Sequence, residues 1–177
     1  MKTKISTKEL VLCAFLLCLG LILPMLFHSF GIAGQIFLPM HIPILLGGLL
    51  LPPVLALSLG IITPIISSAL TGMPVMFPMA IIMVVELGTY GFVSSILLKK
   101  FKLPMIVALI ISMIVGRVFA GLTVAILAKL FGLNMNPVIY IKGAVITGIP
   151  GIIIQIIIIP ILASAVKKYY NSSLSVN

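Results

Sequence analysis

The sequence predicts an all-α integral membrane protein, a compact bundle of six transmembrane helices with both termini in the cytoplasm. Three observations predict it. The 177-residue chain is 62% hydrophobic and only 7% charged, against about 25% charged in an ordinary soluble domain. A globule of this length cannot hide so much apolar surface, so the bilayer must be the solvent. From residue 10 to residue 85 there is no Asp, Glu, Lys or Arg, a stretch long enough for about three spans of roughly 20 residues each. The lysines, finally, gather at the ends of apolar runs. A transmembrane β-barrel would alternate polar and apolar residues, and Ile152-Ile153-Ile154 and Ile156-Ile157-Ile158-Ile159 do not.

The elements follow in order along one transmembrane domain, residues 1–177. A first helix runs from about Leu10 to Phe27, preceded by Ser6-x-x-Glu9, the spacing of a capping box. Its basic start and apolar core resemble a signal peptide, but the run is long and no A-x-A-like site follows, so it reads as a retained helix. A polar stretch from His28 to Gln35 leads to a short apolar segment, about Phe37 to Leu51, that opens with Pro39-Met40-His41-Ile42-Pro43 and ends at Pro52-Pro53. The third helix runs from about Val54 to Leu70 and stops at Thr71-Gly72-Met73-Pro74. The fourth, about Met76 to Leu98, meets Lys99-Lys100-Phe101-Lys102. The fifth covers about Pro104 to Leu130, and the sixth about Val138 to Val166, halted by Lys167-Lys168 before a polar tail from Tyr169. The 12 prolines and 15 glycines interrupt apolar runs without ending them, as helices buried against other helices allow.

The formal charge of +9 is a matter of topology. Six crossings place Lys2, Lys4, Lys8, Lys99, Lys100, Lys102, Lys167 and Lys168 on one side and Lys129 and Lys142 near the other. The positive-inside rule assigns the first side to the cytoplasm. The same placement, flanking apolar segments, argues against a nucleic-acid partner. Cys13 and Cys18 are five residues apart on different helix faces and form neither a disulfide nor a metal site.

An ionisable residue inside a membrane is costly and is a functional candidate by default. Three qualify: Glu86 in the fourth helix, Arg117 in the fifth and Lys142 one turn into the sixth. Glu86 and Arg117 lie at similar depth on adjacent helices. Either they neutralise each other, or one of them faces a polar cavity. Lys142 either snorkels outward or stands at the mouth of an outward-facing pocket. Together the two cations outnumber Glu86, which suits an anionic ligand such as a carboxylate. Tyr90, one turn from Glu86, shares its helix face. His28, Gln35 and His41 lie in or beside the first outer loop, and Asn134 and Asn136 in the loop after the fifth helix. Gln155, deep in the sixth helix, needs an interhelical partner and reads as structural glue. There is no P-loop, H-E-x-x-H or G-x-S-x-G pattern, and two acidic residues at opposite depths cannot do paired-carboxylate chemistry. No cofactor or metal is expected. Ala14-Phe15-Leu16-Leu17-Cys18 carries a small-x-x-x-small pair that lets another helix approach closely.

Three stretches carry a resemblance: Phe37-Leu38-Pro39-Met40-His41-Ile42-Pro43; Gly72-Met73-Pro74 through Glu86-Leu87-Gly88-Thr89-Tyr90-Gly91; and Gly148-Ile149-Pro150-Gly151 with Gln155 and Pro160. In size, topology and order the chain resembles the substrate-binding S component of energy-coupling factor (ECF) vitamin transporters. The resemblance implies a six-helix protein of the prokaryotic plasma membrane that captures a vitamin and docks on a transmembrane coupling subunit carrying two ATPases, with no ATPase activity of its own. It implies a ligand site near the outer face, drawn here from Gln35, His41, Glu86, Tyr90, Arg117, Asn134 and Lys142. It also implies a docking motif at Ala14 and Cys18, where the family's second alanine is replaced by cysteine. The cation excess favours a small aromatic carboxylate similar to niacin. Two other readings compete: a self-sufficient secondary transporter coupled through Glu86, and a non-transporting membrane scaffold.

The lysine asymmetry generates a direct prediction. A reporter fused after Asn177 will be cytoplasmic, and one inserted near Asn134 external. The reverse labelling in intact cells would invert every loop assignment above.

Overall fold

A computed structural model describes residues 5–29 and 34–172, without the side chains of residues 35 and 169–172. Lys2, Lys4, the side chain of Gln35 and most of the polar tail therefore lie outside the described residues. All regular structure among the described residues is helical: α1 (Thr7–Ser29), α2 (Gly34–Phe37), α3 (His41–Leu50), α4 (Pro53–Thr71), a wide turn over Met76–Ala80 leading into α5 (Ile81–Lys99), α6 (Met105–Phe131) and α7 (Pro137–Ser172). Five of these, with the wide turn counted into α5, are long and apolar enough to cross a membrane.

Local chemistry sets the ends. The Ser6 amide donates to Glu9 Oε2 at 2.8 Å and the Glu9 amide to Ser6 Oγ at 3.2 Å, so the capping box starts α1 as its spacing predicts. Gly72 and Gly132 stop α4 and α6 with φ of 72° and 66°, a left-handed conformation that glycine adopts without steric cost. Asn136 caps α7, its Oδ1 accepting from the Val138 and Ile139 amides, and Pro137 occupies the first helical position, where no amide proton is needed.

The second apolar segment differs from the continuous span expected over Phe37 to Leu51. It is broken between α2 and α3. Leu38 precedes Pro39, and a residue before proline is disfavoured in the right-handed helical region; Leu38 turns instead to a φ of 50°. Pro43 then falls in the first turn of α3, where its missing amide proton is tolerated. The ten residues of α3 rise only about 15 Å, half a hydrocarbon core.

Helix direction nonetheless keeps the crossing. Gly20 of α1 abuts Thr63 of α4 and Pro43 of α3, while Gly47 lies against Leu59 and Leu16. Cys13 Sγ lies 3.9 Å from the Leu55 carbonyl. Hence α4 runs parallel to α1, and α3 runs antiparallel between them. The chain crosses once on α2, the turn and α3 together. The C-terminal carbonyls of α3 are covered by α5: Lys99 Nζ donates to Leu50 O at 3.0 Å and Ser95 Oγ to Leu51 O at 2.7 Å. Such carbonyls have no partner within their own helix, and the Lys99 ammonium also complements the negative helix end.

The remaining helices alternate in direction. α4 and α5 meet closely, and a Cβ at Gly60 or Gly91 would strike the backbone of the facing helix, the small-residue packing that drives helix association in lipid. Phe77 and Phe131 meet edge to face at 5.0 Å and mark one end of the α5–α6 pair. Lys8, Lys99, Lys100, Lys102, Lys167 and Lys168 share the other end of the bundle. The core comprises Ile44, Leu45 and Leu49 of α3 with Leu59, Leu87 and Leu109, all fully buried. Around it the outer surface is apolar, with Val11, Ile114, Ile139 and Ile146 each at least 60% exposed, as a lipid-facing belt requires.

Candidate functional site

The only two charges buried among the described residues meet each other. Arg117 Nη1 lies 2.8 Å from Glu86 Oε1, with Glu86 1% and Arg117 8% exposed. Pairing offsets the several kcal/mol that each isolated charge would cost in a low-dielectric interior. Tyr90, one turn on from Glu86, donates its hydroxyl to the same carboxylate oxygen at 2.7 Å. His41, the first residue of α3, brings Nε2 to 3.8 Å from that oxygen, and its ring lies 5.6 Å from the Tyr90 ring, tilted by 57°.

Each element has a local reason to bring its group here. Gly116 leaves the space that the Tyr90 ring and the Glu86 carbonyl occupy; any side chain there would push α6, and Arg117 with it, off α5. Gly151 does the same for the broken crossing, since its missing Cβ is replaced by the backbone of Ile36 and Phe37. Gln155 Nε2 then donates to the Leu38 carbonyl at 3.3 Å, tying α7 to the turn that delivers His41. Gln155 is glue, as its depth predicts.

The cluster forms one wall of a cavity of about 300 Å³ lined by Leu38, His41, Tyr90, Arg117, Gln155 and apolar side chains of α6 and α7. Two of its polar groups have donors or acceptors to spare. Neither ring nitrogen of His41 has a hydrogen-bond partner, nor does Arg117 Nε. Buried polar groups are nearly always satisfied; these atoms are exceptions, and they lie behind an almost wholly apolar cavity lining. The surroundings are otherwise apolar, a small number of polar groups in a greasy cleft, the usual composition of a small-molecule site.

Glu86 and Arg117 stand in the middle of their membrane-spanning helices, as the sequence predicts. Glu86 lies thirteen residues, about 20 Å along the helix, from Lys99, and Arg117 fourteen residues from Phe131 at the other end. Both are near mid-depth. His41 is not in the first outer loop but buried, 4% exposed, in the interior, because the break at Leu38 carries the chain down before α3 begins. Asn134 and Lys142 are exposed at the outer end and do not line the cavity; neither does Asn136, which caps α7. His28 is exposed at the end of α1. The residues that sequence reasoning passed over are Leu38, whose signal was its place before Pro39, and the cavity-lining face of Gln155. Ala14 and Cys18 lie together on the exposed face of α1, and Cys13 turns inward. No group of three or more potential metal ligands occurs among the described residues.

The ion pair generates a stability prediction. Glu86→Ala leaves the guanidinium buried without a counter-charge and is expected to cost about 3–5 kcal/mol, read as a lowered thermal midpoint in detergent. Glu86→Gln/Arg117→Gln, which removes both charges, should recover most of that loss. Equal stability of wild type and Glu86→Ala would show that the pair does not hold the bundle together.

The family model described as ECF transporter, substrate-specific component, matches residues 8–163. No curated protein and no solved structure matches the chain. Proteins of this family are transport subunits; they associate with ECF transmembrane and ATPase components, and ATP hydrolysis lies with those partners. The match takes in every helix contributing to the buried cluster, and the chain belongs to the substrate-specific components of ECF transporters, as a multi-pass membrane protein.

Proposed function

We propose that this chain captures a small water-soluble vitamin from outside the cell for ATP-driven uptake, and that the ligand is a compact aromatic ring bearing a carboxylate, similar to niacin. The observation that carries the reading is the pair of unpartnered polar groups, Arg117 Nε and the His41 ring, buried directly behind the apolar lining of the cavity. A guanidinium is a planar fork of five donors. Arg117 spends Nη1 on Glu86 and keeps an edge for a ligand carboxylate. The apolar walls receive the ring. Gln155, His41 and Tyr90 bound the head of the site. Lys142 acts earlier. It stands exposed beside Ile141, the outermost cavity-lining residue of α7, and its charge draws an anion toward the mouth. Asn134 is exposed at the same outer end. Glu86 is held by a cation and a hydroxyl, an arrangement that fits an anchor for Arg117 better than a coupling group of a self-sufficient transporter.

The coupling subunit docks on α1. Only 11% of the most apolar stretch of α1 is buried, against 44% in α4, α5 and α6, and Ala14 and Cys18 are exposed on it. Small side chains there let a partner helix approach closely.

Two experiments test the reading. In calorimetry with nicotinate, Glu86→Gln/Arg117→Gln, which leaves no orphaned charge, should bind about ten- to a hundredfold more weakly, the worth of a lost charge-assisted hydrogen bond of roughly 1.5–3 kcal/mol. Gln155→Ala should lose less, and Lys142→Ala should slow association in a salt-dependent way. Normal binding by the double variant would defeat the carboxylate assignment. Ala14→Leu should separate binding from transport: the purified protein still binds, while cells lose ATP-dependent uptake and less partner co-purifies. Full uptake would remove α1 as the docking surface.

A further inference from the structure

The guanidinium of Arg117 has a used edge and an unused one. Nη1, on the side of Cδ, is spent on Glu86 at 2.8 Å. Nε and Nη2 form another edge, two parallel N–H groups spaced to match the two oxygens of a carboxylate. Nε is buried without a hydrogen-bond partner. Nη2 reaches α7 at Gly148, where it lies 3.8 Å from the point at which a Cβ of that residue would stand. Gly148 is buried on the inner face of α7, between the cavity-lining residues Val145 and Ile152. Glycine is unfavourable in a helix interior relative to alanine. At Gly60, Gly91 and Gly151 that cost has a structural reason, because a Cβ there would strike backbone. At Gly148 the nearest atoms belong to side chains: Leu38 Cδ1 at 3.0 Å and the guanidinium itself. The end of a leucine side chain can give way by a few tenths of an ångström, so packing alone does not demand a glycine here.

We propose that Gly148 is the specificity-determining position on α7. Its missing side chain keeps the Nε–Nη2 edge of Arg117 open, and a ligand carboxylate lies on both N–H groups against the α7 backbone, with Leu38 as the apolar cover of that edge. This deepens the reading of Arg117 as the head-group site and rests on it. The residue at 148 then decides between an acid and its neutral isostere. A carboxylate accepts from both N–H groups at once, whereas a carboxamide has one acceptor oxygen and turns donors toward the second N–H. With a methyl group at 148, the oxygen that would meet Nη2 loses its place, because the methyl carbon stands in van der Waals contact with that nitrogen. The acid then loses its advantage over the amide.

Calorimetry of the full-length protein with nicotinate and nicotinamide reads this as a ratio of affinities. Gly148→Ala should lower the preference for nicotinate by about tenfold or more, the worth of a charge-assisted hydrogen bond, while its thermal midpoint stays at or above that of the wild type. Gly143→Ala, on the same helix with nothing within 4 Å of its Cβ position, should keep the wild-type ratio. A ratio unaltered in Gly148→Ala would overturn the proposal. So would an equal fall in both variants, which would trace the effect to the stiffness of α7. Glu86→Gln/Arg117→Gln separates the two readings. If it loses the preference while Gly148→Ala keeps it, the head-group site stands and the role of Gly148 falls. If it binds nicotinate as the wild type does, both fall. A charge rescue tests the same edge without a ligand, and it decides the matter should the wild type bind neither probe. Glu86→Ala/Gly148→Asp offers Arg117 a carboxylate from α7 and should recover about half or more of the fall in thermal midpoint caused by Glu86→Ala. Glu86→Ala/Gly148→Asn, of the same shape without the charge, should not. Equal midpoints for the Asp and Asn variants would show that Arg117 takes no carboxylate from the side of α7, and would overturn the proposal.

Discussion

A carboxylate and a guanidinium held 2.8 Å apart in the middle of a membrane set the terms for the rest of this protein. Neither charge can reach water, and each without the other would cost several kcal/mol. Their pairing fixes the register of α5 on α6, and Gly116 leaves the space that this register needs. Tyr90 anchors the same carboxylate oxygen and places its ring beside His41. The neutralised pair still leaves Arg117 Nε and both nitrogens of His41 without a hydrogen bond, although His41 Nε2 lies 3.8 Å from the Glu86 carboxylate.

The second constraint is the broken crossing. A continuous helix from Phe37 to Leu51 would present His41 at an outer level and pack a full-length span against α1. The turn at Leu38 instead lowers the chain to mid-depth and starts α3 there. Backbone exposed by such a break must find partners inside the protein, because lipid offers none. Gln155 supplies one at the Leu38 carbonyl, and Ser95 and Lys99 supply others at the far end of α3. Gly151 admits the backbone of α2. Parts of the three stretches that carry the family resemblance meet around the buried cluster: the first is the break, the second presents Glu86 and Tyr90, and the third holds the break in place.

Division of labour follows from this layout. α4, α5 and α6 form a tightly packed centre. α7 and the turn before α3 complete the cavity, and α1 lies at the periphery with one face free. A subunit that binds a solute and hands it on to an ATP-driven partner needs a rigid recognition wall, a boundary that can admit the ligand and a surface for the partner. In the reading proposed above, those three lie on different elements.

Membrane location, helix count and the segregation of lysines were legible in the sequence, because hydropathy and charge placement report directly on which residues can face lipid. The capping box at Ser6 and Glu9, the i, i+4 relation of Glu86 and Tyr90 and the stop at Gly72 were legible too, since each is set within a few residues of chain. The sequence left open whether Glu86 and Arg117 pair, because that depends on the rotation of two helices about their axes, which only the packing at Gly116 decides. It could not show that His41 belongs to the interior and Lys142 to the surface, as both depend on how far the break at Leu38 lowers the chain. Thr71-Gly72-Met73-Pro74 and Thr147-Gly148-Ile149-Pro150 make the same point. The first is a helix stop and the turn after it, and the second continues through α7. A similar local pattern takes different forms according to its tertiary surroundings, as prolines inside packed membrane helices are tolerated, so local patterns determined the elements, while the cavity was decided by which helices those elements were packed against.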